Sequence, residues 1–269
     1  MPEKLSSLFN QNVTPITEEG KKQLIQMRVD SYNKSKGDLT EVDCPICNNK
    51  GHIMKIRNNE VYGLEEYVTD CECAERRKLL HKARKSGLGK YLKKTFNDYI
   101  AEEQWQKDIK QKAISFCEAD NKEWFVILGQ SGAGKTLICS IIANDYLFNK
   151  NKSVIYITWT DFISRLKRDM MSDNANAVSK YIDEVKNAEI LFIDELLKKY
   201  NENDLKYIIE IINYRCTAEL KTIISSERTA AELLDIDEAT FGRMVEESGR
   251  YITNIKKDRK KNYRLKNIV

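Results

Sequence analysis

Gly129-Gln130-Ser131-Gly132-Ala133-Gly134-Lys135-Thr136 matches the pattern GxxxxGK[ST] in full. Glycines at this spacing let backbone amides curl around phosphates without side-chain clash. A helix starting at the end of the loop would add positive partial charge. Lys135 would then reach the β- and γ-phosphates of ATP, and the Thr136 hydroxyl would ligate Mg²⁺. A second stretch, Ile190-Leu191-Phe192-Ile193-Asp194-Glu195, ends an apolar run on two acids. Asp194 would stand beside the magnesium ion, and Glu195 would orient or deprotonate the attacking water. Cys44-Pro-Ile-Cys47 and Cys71-Glu-Cys73 form a third constellation. Four thiolates make a closed, tetrahedral and therefore structural Zn²⁺ site. A module of about thirty residues has too small a core to fold well alone, and metal supplies the missing stability. The second pair is spaced by one residue, which leaves His52 as a substitute ligand, and four free thiols as the alternative reading.

These residues need particular elements behind them. Phe125 to Leu128 reads as a strand before the loop and Lys135 to Asn149 as a helix after it. Val154–Ile157, Ile190–Ile193 and Thr222–Ser226 read as further short apolar strands, with helices near 161–171 and 205–215 between them. That alternation predicts an α/β fold with a central parallel sheet. Residues 172–176 read as a polar loop. Ahead of the core, Thr17 begins a helix with acids in its first turn and an apolar stripe of Ile16, Leu24, Met27 and Val29. A hairpin then turns at Arg57–Glu60 and carries one cysteine pair at each end. A basic helix follows from about Ala74 to Lys85, stopped by Ser86-Gly87. The expected division is a zinc-binding α+β module over residues 1–90 and a nucleotide-binding domain over 91–269.

Composition limits the rest. The chain has 269 residues, 41% hydrophobic and 32% charged, which fits a soluble globular protein with a sizeable core. It contains no apolar run long enough to span a bilayer and no apolar export signal at its N-terminus. The expectation is a cytoplasmic protein with reduced thiols, no membrane partner, and Cys117, Cys139 and Cys216 as core residues. Net charge is only +4, but basic residues cluster at 76–85 and 256–266. Such blocks serve equally as phosphate-backbone contacts or as solvated faces.

The order of elements resembles the AAA+ core of the DnaC/DnaI helicase loaders and the related IstB transposition ATPases. The resemblance rests on the phosphate loop, VIYITWTDFISRLKRDM, ILFIDELLK and TIISSERT, then Phe241-Gly242-Arg243-Met244 and Asn262-Tyr263-Arg264-Leu265-Lys266. It implies an AAA+ ATPase without a full lid domain. It places Ser226, where the family often has Asn, at the first sensor position, with Ser225 the competing choice. It makes Arg243 an arginine finger given to a neighbouring subunit, against a salt bridge to Glu246 or Glu247. It offers Arg264 as a second phosphate sensor. Arg165, Lys167 and Arg168 fall where such loaders contact single-stranded DNA. Trp159 and Phe162 nearby read as core side chains. The implied partners are a hexameric replicative helicase, single-stranded DNA and further copies of the chain. The alternative implied function is regulation of a transposase, against which the cysteine module argues.

Overall fold

The computed structural model describes residues 17–61, 63–85, 88–119, 121–172 and 175–265. The chain forms two compact units that divide between Arg77 and Lys78.

In the first unit, α1 spans Glu18–Lys34. The Thr17 side chain accepts the Gly20 amide at 3.2 Å, and Glu18 and Glu19 complement the helix N-terminus. The buried face differs from the expected stripe: Ile25 and Val29, one turn apart, point inward, while Leu24 and Met27 are exposed. Ile16, the remaining member of that stripe, lies outside the described residues. Strands β1 (His52–Asn59) and β2 (Gly63–Asp70) pair antiparallel, from His52 opposite Asp70 to Asn59 opposite Gly63. The turn comes later than the sequence suggests, because Arg57, Asn58 and Asn59 continue the ladder. Helix α2 (Cys73–Lys85) starts at the last cysteine. The expected stop at Ser86-Gly87 lies outside the described residues.

Wholly within the second unit, α3 (Gln104–Glu118) is followed by β3 (Phe125–Gly129) and α4 (Lys135–Phe148). Next come β4 (Val154–Thr158), α5 (Trp159–Met171), α6 (Ala175–Lys186) and β5 (Ile190–Asp194). It closes with α7 (Glu202–Thr217), β6 (Thr222–Ser225), α8 (Ala230–Leu234), α9 (Glu238–Ser248) and β7 (Ile252–Ile255). The strands form one parallel sheet in the order β4-β5-β6-β3-β7. The three middle strands are buried along their whole length, as their unbroken apolar runs require. This order brings the C-terminal ends of β3, β6 and β5 side by side, the edge where open α/β sheets form their crevice.

Two elements depart from expectation. Ala175 already opens α6, whose Val178, Ile182 and Val185 enter the core. At the C-terminus, β7, which the sequence pattern does not assign, joins the sheet beside β3 and is followed by short 3₁₀ turns at 259–261 and 263–265. Arg215 of α7 is fully buried and donates to the carbonyls of Lys186, Ala188 and Lys221. It thereby ties the end of α6 to the start of β6, and burial lowers its pKa to about 9. Trp159 and Phe162 pack in the core, so their faces are closed to bases. No described helix is long and apolar enough to cross a membrane.

Candidate nucleotide site and cysteine cluster

The phosphate loop connects β3 to α4. Gly129, Gly132 and Gly134 have φ of +93°, +72° and +83°, in the left-handed region that side chains rarely adopt. Space requires glycine at Gly129 as well and crowds a side chain at Gly132. A Cβ on Gly129 would overlap the Ile255 backbone carbonyl, and one on Gly132 would overlap the side-chain amide of Asn262. The Lys135 ammonium lies inside the curl and donates to the carbonyls of Gly129 (2.8 Å) and Gln130 (2.6 Å). Burial lowers its pKa.

Thr136 is the second residue of α4, and its hydroxyl donates to Asp194 Oδ1 at 3.1 Å. Asp194, at the end of β5, also accepts from Tyr156 (3.1 Å) and from Ser225. Burial raises its pKa although these three hydrogen bonds oppose the rise. A hydroxyl–carboxylate pair beside the loop is the donor set that a hard cation such as Mg²⁺ takes. Glu195 follows with φ +55°, an unusual backbone for a non-glycine residue. Its amide donates to the Ser225 hydroxyl at 3.2 Å, and Lys198 donates to its carboxylate at 2.7 Å.

The two candidate sensor serines face different partners. Ser225 stands on Asp194 and Glu195. The Ser226 hydroxyl donates to the Leu196 carbonyl at 2.7 Å and accepts the Arg228 amide at 3.1 Å. Both border a cavity of about 330 Å³ together with Gly132–Thr136, Glu195 and Arg264. Arg243 does not border it. It is exposed on α9 and donates to Asn213 of α7 at 2.8 Å, with no ion pair to Glu246 or Glu247 among the described residues.

Several contributors escaped the sequence reading. Tyr91, Tyr99 and Ile100, from the segment before α3, also line the cavity and offer apolar surface. Tyr156 braces Asp194, and Glu227 accepts the Ser131 hydroxyl at 2.8 Å. The segment after β7 straps the loop. Tyr263 N–H donates to Gly132 (2.9 Å), and Asp258 N–H donates to Gln130 Oε1 (2.8 Å). A tyrosine two residues into a strand carries no signal of its own, and the strap depends on β7, which the pattern did not reveal.

On the helix after β4, Lys167 pairs with buried Asp204 at 2.9 Å, and Arg165 lies 3.7 Å above the Tyr181 ring. Arg168 is exposed.

In the first unit, hairpin register brings Cys44, Cys47, Cys71 and Cys73 together, buried, with all four sulfurs within 4.8 Å of one another. The Cys44–Cys71 and Cys47–Cys73 sulfurs are 3.7 and 3.6 Å apart, far beyond a disulfide bond. A tetrahedron with metal–sulfur bonds of about 2.3 Å has edges of about 3.8 Å, so the spacing fits zinc. Arg77 provides an independent test. It is 8% exposed, with Nε donating to Cys73 Sγ (3.4 Å), Nη2 donating to the Val42 carbonyl (2.6 Å), and Nη1 buried without a partner. A buried cation is costly unless negative charge lies beside it, and metal-bound thiolates supply that charge. Burial disfavours a thiolate at Cys47, but the Gly51 amide and the neighbouring thiols outweigh it and hold its pKa at about 6. Burial pushes Cys71 up to about 12. His52 is outside the cluster, its ring 3.8 Å from Asp70.

Comparison with known proteins agrees with this geometry. "Uncharacterized protein YqaM" of Bacillus subtilis (strain 168) is 26% identical over 278 residues, covering 85% of this chain and 87% of its own. "Replicative helicase loader DnaC" of Buchnera aphidicola subsp. Baizongia pistaciae is 27% identical over 135 residues, 49% of this chain and 54% of that protein. The crystal structure of the DnaC helicase loader superposes with a TM-score of 0.52 at 20% identity, covering 63% of this chain and 99% of that one. The fold is therefore that of an AAA+ P-loop core, with a small antiparallel module ahead of it. The IstB-like ATP binding protein family matches residues 62–244, and the chain belongs to that family.

Proposed function

We propose that the protein is an ATPase that binds a hexameric replicative helicase and delivers it to single-stranded DNA. The observation that carries the nucleotide part is the Thr136–Asp194 pair, whose Thr136 lines a cavity together with the phosphate loop. Lys135 and the loop amides hold the β- and γ-phosphates. Thr136 and Asp194 would hold Mg²⁺, and the ion would supply charge neutralisation for the phosphate oxygens. Tyr99 and Ile100 offer the apolar surface that a purine base takes. Glu195 accepts a proton from water as the water oxygen bonds to the γ-phosphorus. The bond from that phosphorus to the bridging oxygen breaks, leaving ADP and phosphate. Ser225 fits the sensor role better than Ser226, because its hydroxyl touches Asp194 and the Glu195 amide. Arg243, exposed and remote from its own cavity, suits donation to a neighbouring subunit's nucleotide. Arg264 borders the cavity and suits phosphate sensing.

The helicase-loading part rests on the likeness to DnaC and on the cysteine module, read as a zinc-stabilised docking unit. The family match also favours a second reading, an ATPase that regulates a transposase. Co-purification with the replicative helicase of the same genome, against a transposase of that genome, separates the two. Nucleotide-dependent capture of the helicase supports loading, and capture of the transposase alone replaces it.

A further inference from the structure

Glu227 is an acid at the rim of a cavity that the loop fits for polyphosphate. Like charge placed there opposes nucleotide entry unless it is compensated or moves. Its compensation is visible. Lys198 Nζ lies 3.4 Å from Glu227 Oε1 and 2.7 Å from Glu195 Oε1. The same Glu227 oxygen accepts the hydroxyl of Ser131, inside the phosphate loop. A continuous chain therefore runs from loop to reacting carboxylate: Ser131, Glu227, Lys198, Glu195.

The backbone beneath this chain is fixed. Leu196 N–H donates to the Ser225 carbonyl at 2.9 Å, and Lys198 N–H to the Glu195 carbonyl at 3.0 Å. Arg228 Nε donates to the Leu197 carbonyl at 2.8 Å, and Leu196 and Leu197 are fully buried. Only side chains can respond cheaply, and the partly exposed Lys198 joins the two acids.

We infer that Lys198 and Glu227 form a latch on Glu195, opened by occupation of the phosphate loop. With the loop unfilled, Lys198 holds the carboxylate that would otherwise accept the water proton. A polyphosphate in the loop repels Glu227 from Ser131, and Lys198 leaves Glu195 with it. Lys198 and Glu227 are positioning residues, and their role rests on the reading of Glu195 as the base.

The test is steady-state ATP hydrolysis by the full chain with Lys198→Met, which keeps the apolar stem, and Glu227→Gln, which keeps an acceptor for Ser131. Release of an exposed ion pair of this kind predicts a gain in kcat of roughly two- to fivefold for Lys198→Met. The KM for ATP should stay near wild type. Glu227→Gln should raise kcat similarly and lower KM, since the rim loses its charge. Either gain should vanish when combined with Glu195→Gln. Hydrolysis lost in Glu195→Gln yet not raised in Lys198→Met, at unchanged thermal stability, would overturn the latch alone. Hydrolysis undiminished by Glu195→Gln would overturn the latch and the base assignment together.

Discussion

Lys135, Asp194 and Glu195 lie at one edge of the sheet with different proposed roles, and single substitutions should separate them. Lys135 is the one described side-chain cation inside the loop curl, so Lys135→Ala should abolish ATP binding. Equilibrium titration with a fluorescent nucleotide checks this, and wild-type affinity would contradict it. Glu195→Gln keeps Asp194 and Thr136 intact. It should bind ATP normally yet turn over at least about a hundredfold more slowly, within the range of general-base contributions. Gly132→Ala tests the strap. Its methyl would meet Asn262 at a backbone angle that suits glycine, at a cost of about 1–3 kcal/mol. Adding Asn262→Ala should recover part of the lost melting temperature by removing the clash. No recovery would separate Asn262 from the loop.

Strands, helices and the cysteine module form the next scale. Strands β3, β5 and β6 were legible because burial on both faces demands unbroken apolar runs, and each ends in residues with evident chemistry. Helix α6 was not, because its polar opening resembles a loop and its buried positions, Val178, Ile182 and Val185, lie beyond that opening. Strand β7 contains only four residues, Ile-Thr-Asn-Ile, and its place in the sheet is fixed by long-range pairing with β3. The cysteine spacing was legible, but the charge argument was not. Arg77 sits in a basic block that reads equally as a phosphate contact or a solvated face, and only tertiary structure shows its guanidinium against Cys73. The arrangement predicts one zinc per chain by metal analysis of protein purified without chelators. Cys44→Ser should lose the metal and lower the stability of the first unit, while nucleotide affinity stays near wild type. Metal content near zero in intact wild-type protein would contradict the zinc assignment.

Arg243 does not line the cavity of its own chain, so the proposed finger role calls for assembly of several copies. A cation that meets charge developing in the transition state affects turnover more than binding. Arg243→Ala should bind ATP as wild type does but lose the hydrolysis stimulated by assembly. Mixed with Lys135→Ala, it should regain part of that activity, since intact Lys135 of one chain can then meet intact Arg243 of the other. Absence of recovery, with mixed assemblies verified by mass, would remove the finger assignment.

The proposed loading function calls for a complex with the helicase. The most direct measurement is mass determination by light scattering of the full chain mixed with the hexameric replicative helicase of the same genome, with and without ATP and Mg²⁺. The account predicts a stable complex containing several copies of this chain when nucleotide is present. It predicts that Cys44→Ser weakens that complex and that Lys135→Ala removes its nucleotide dependence. Unassociated helicase under every condition, with the zinc-loaded, ATP-binding chain folded beside it, would contradict the proposed function.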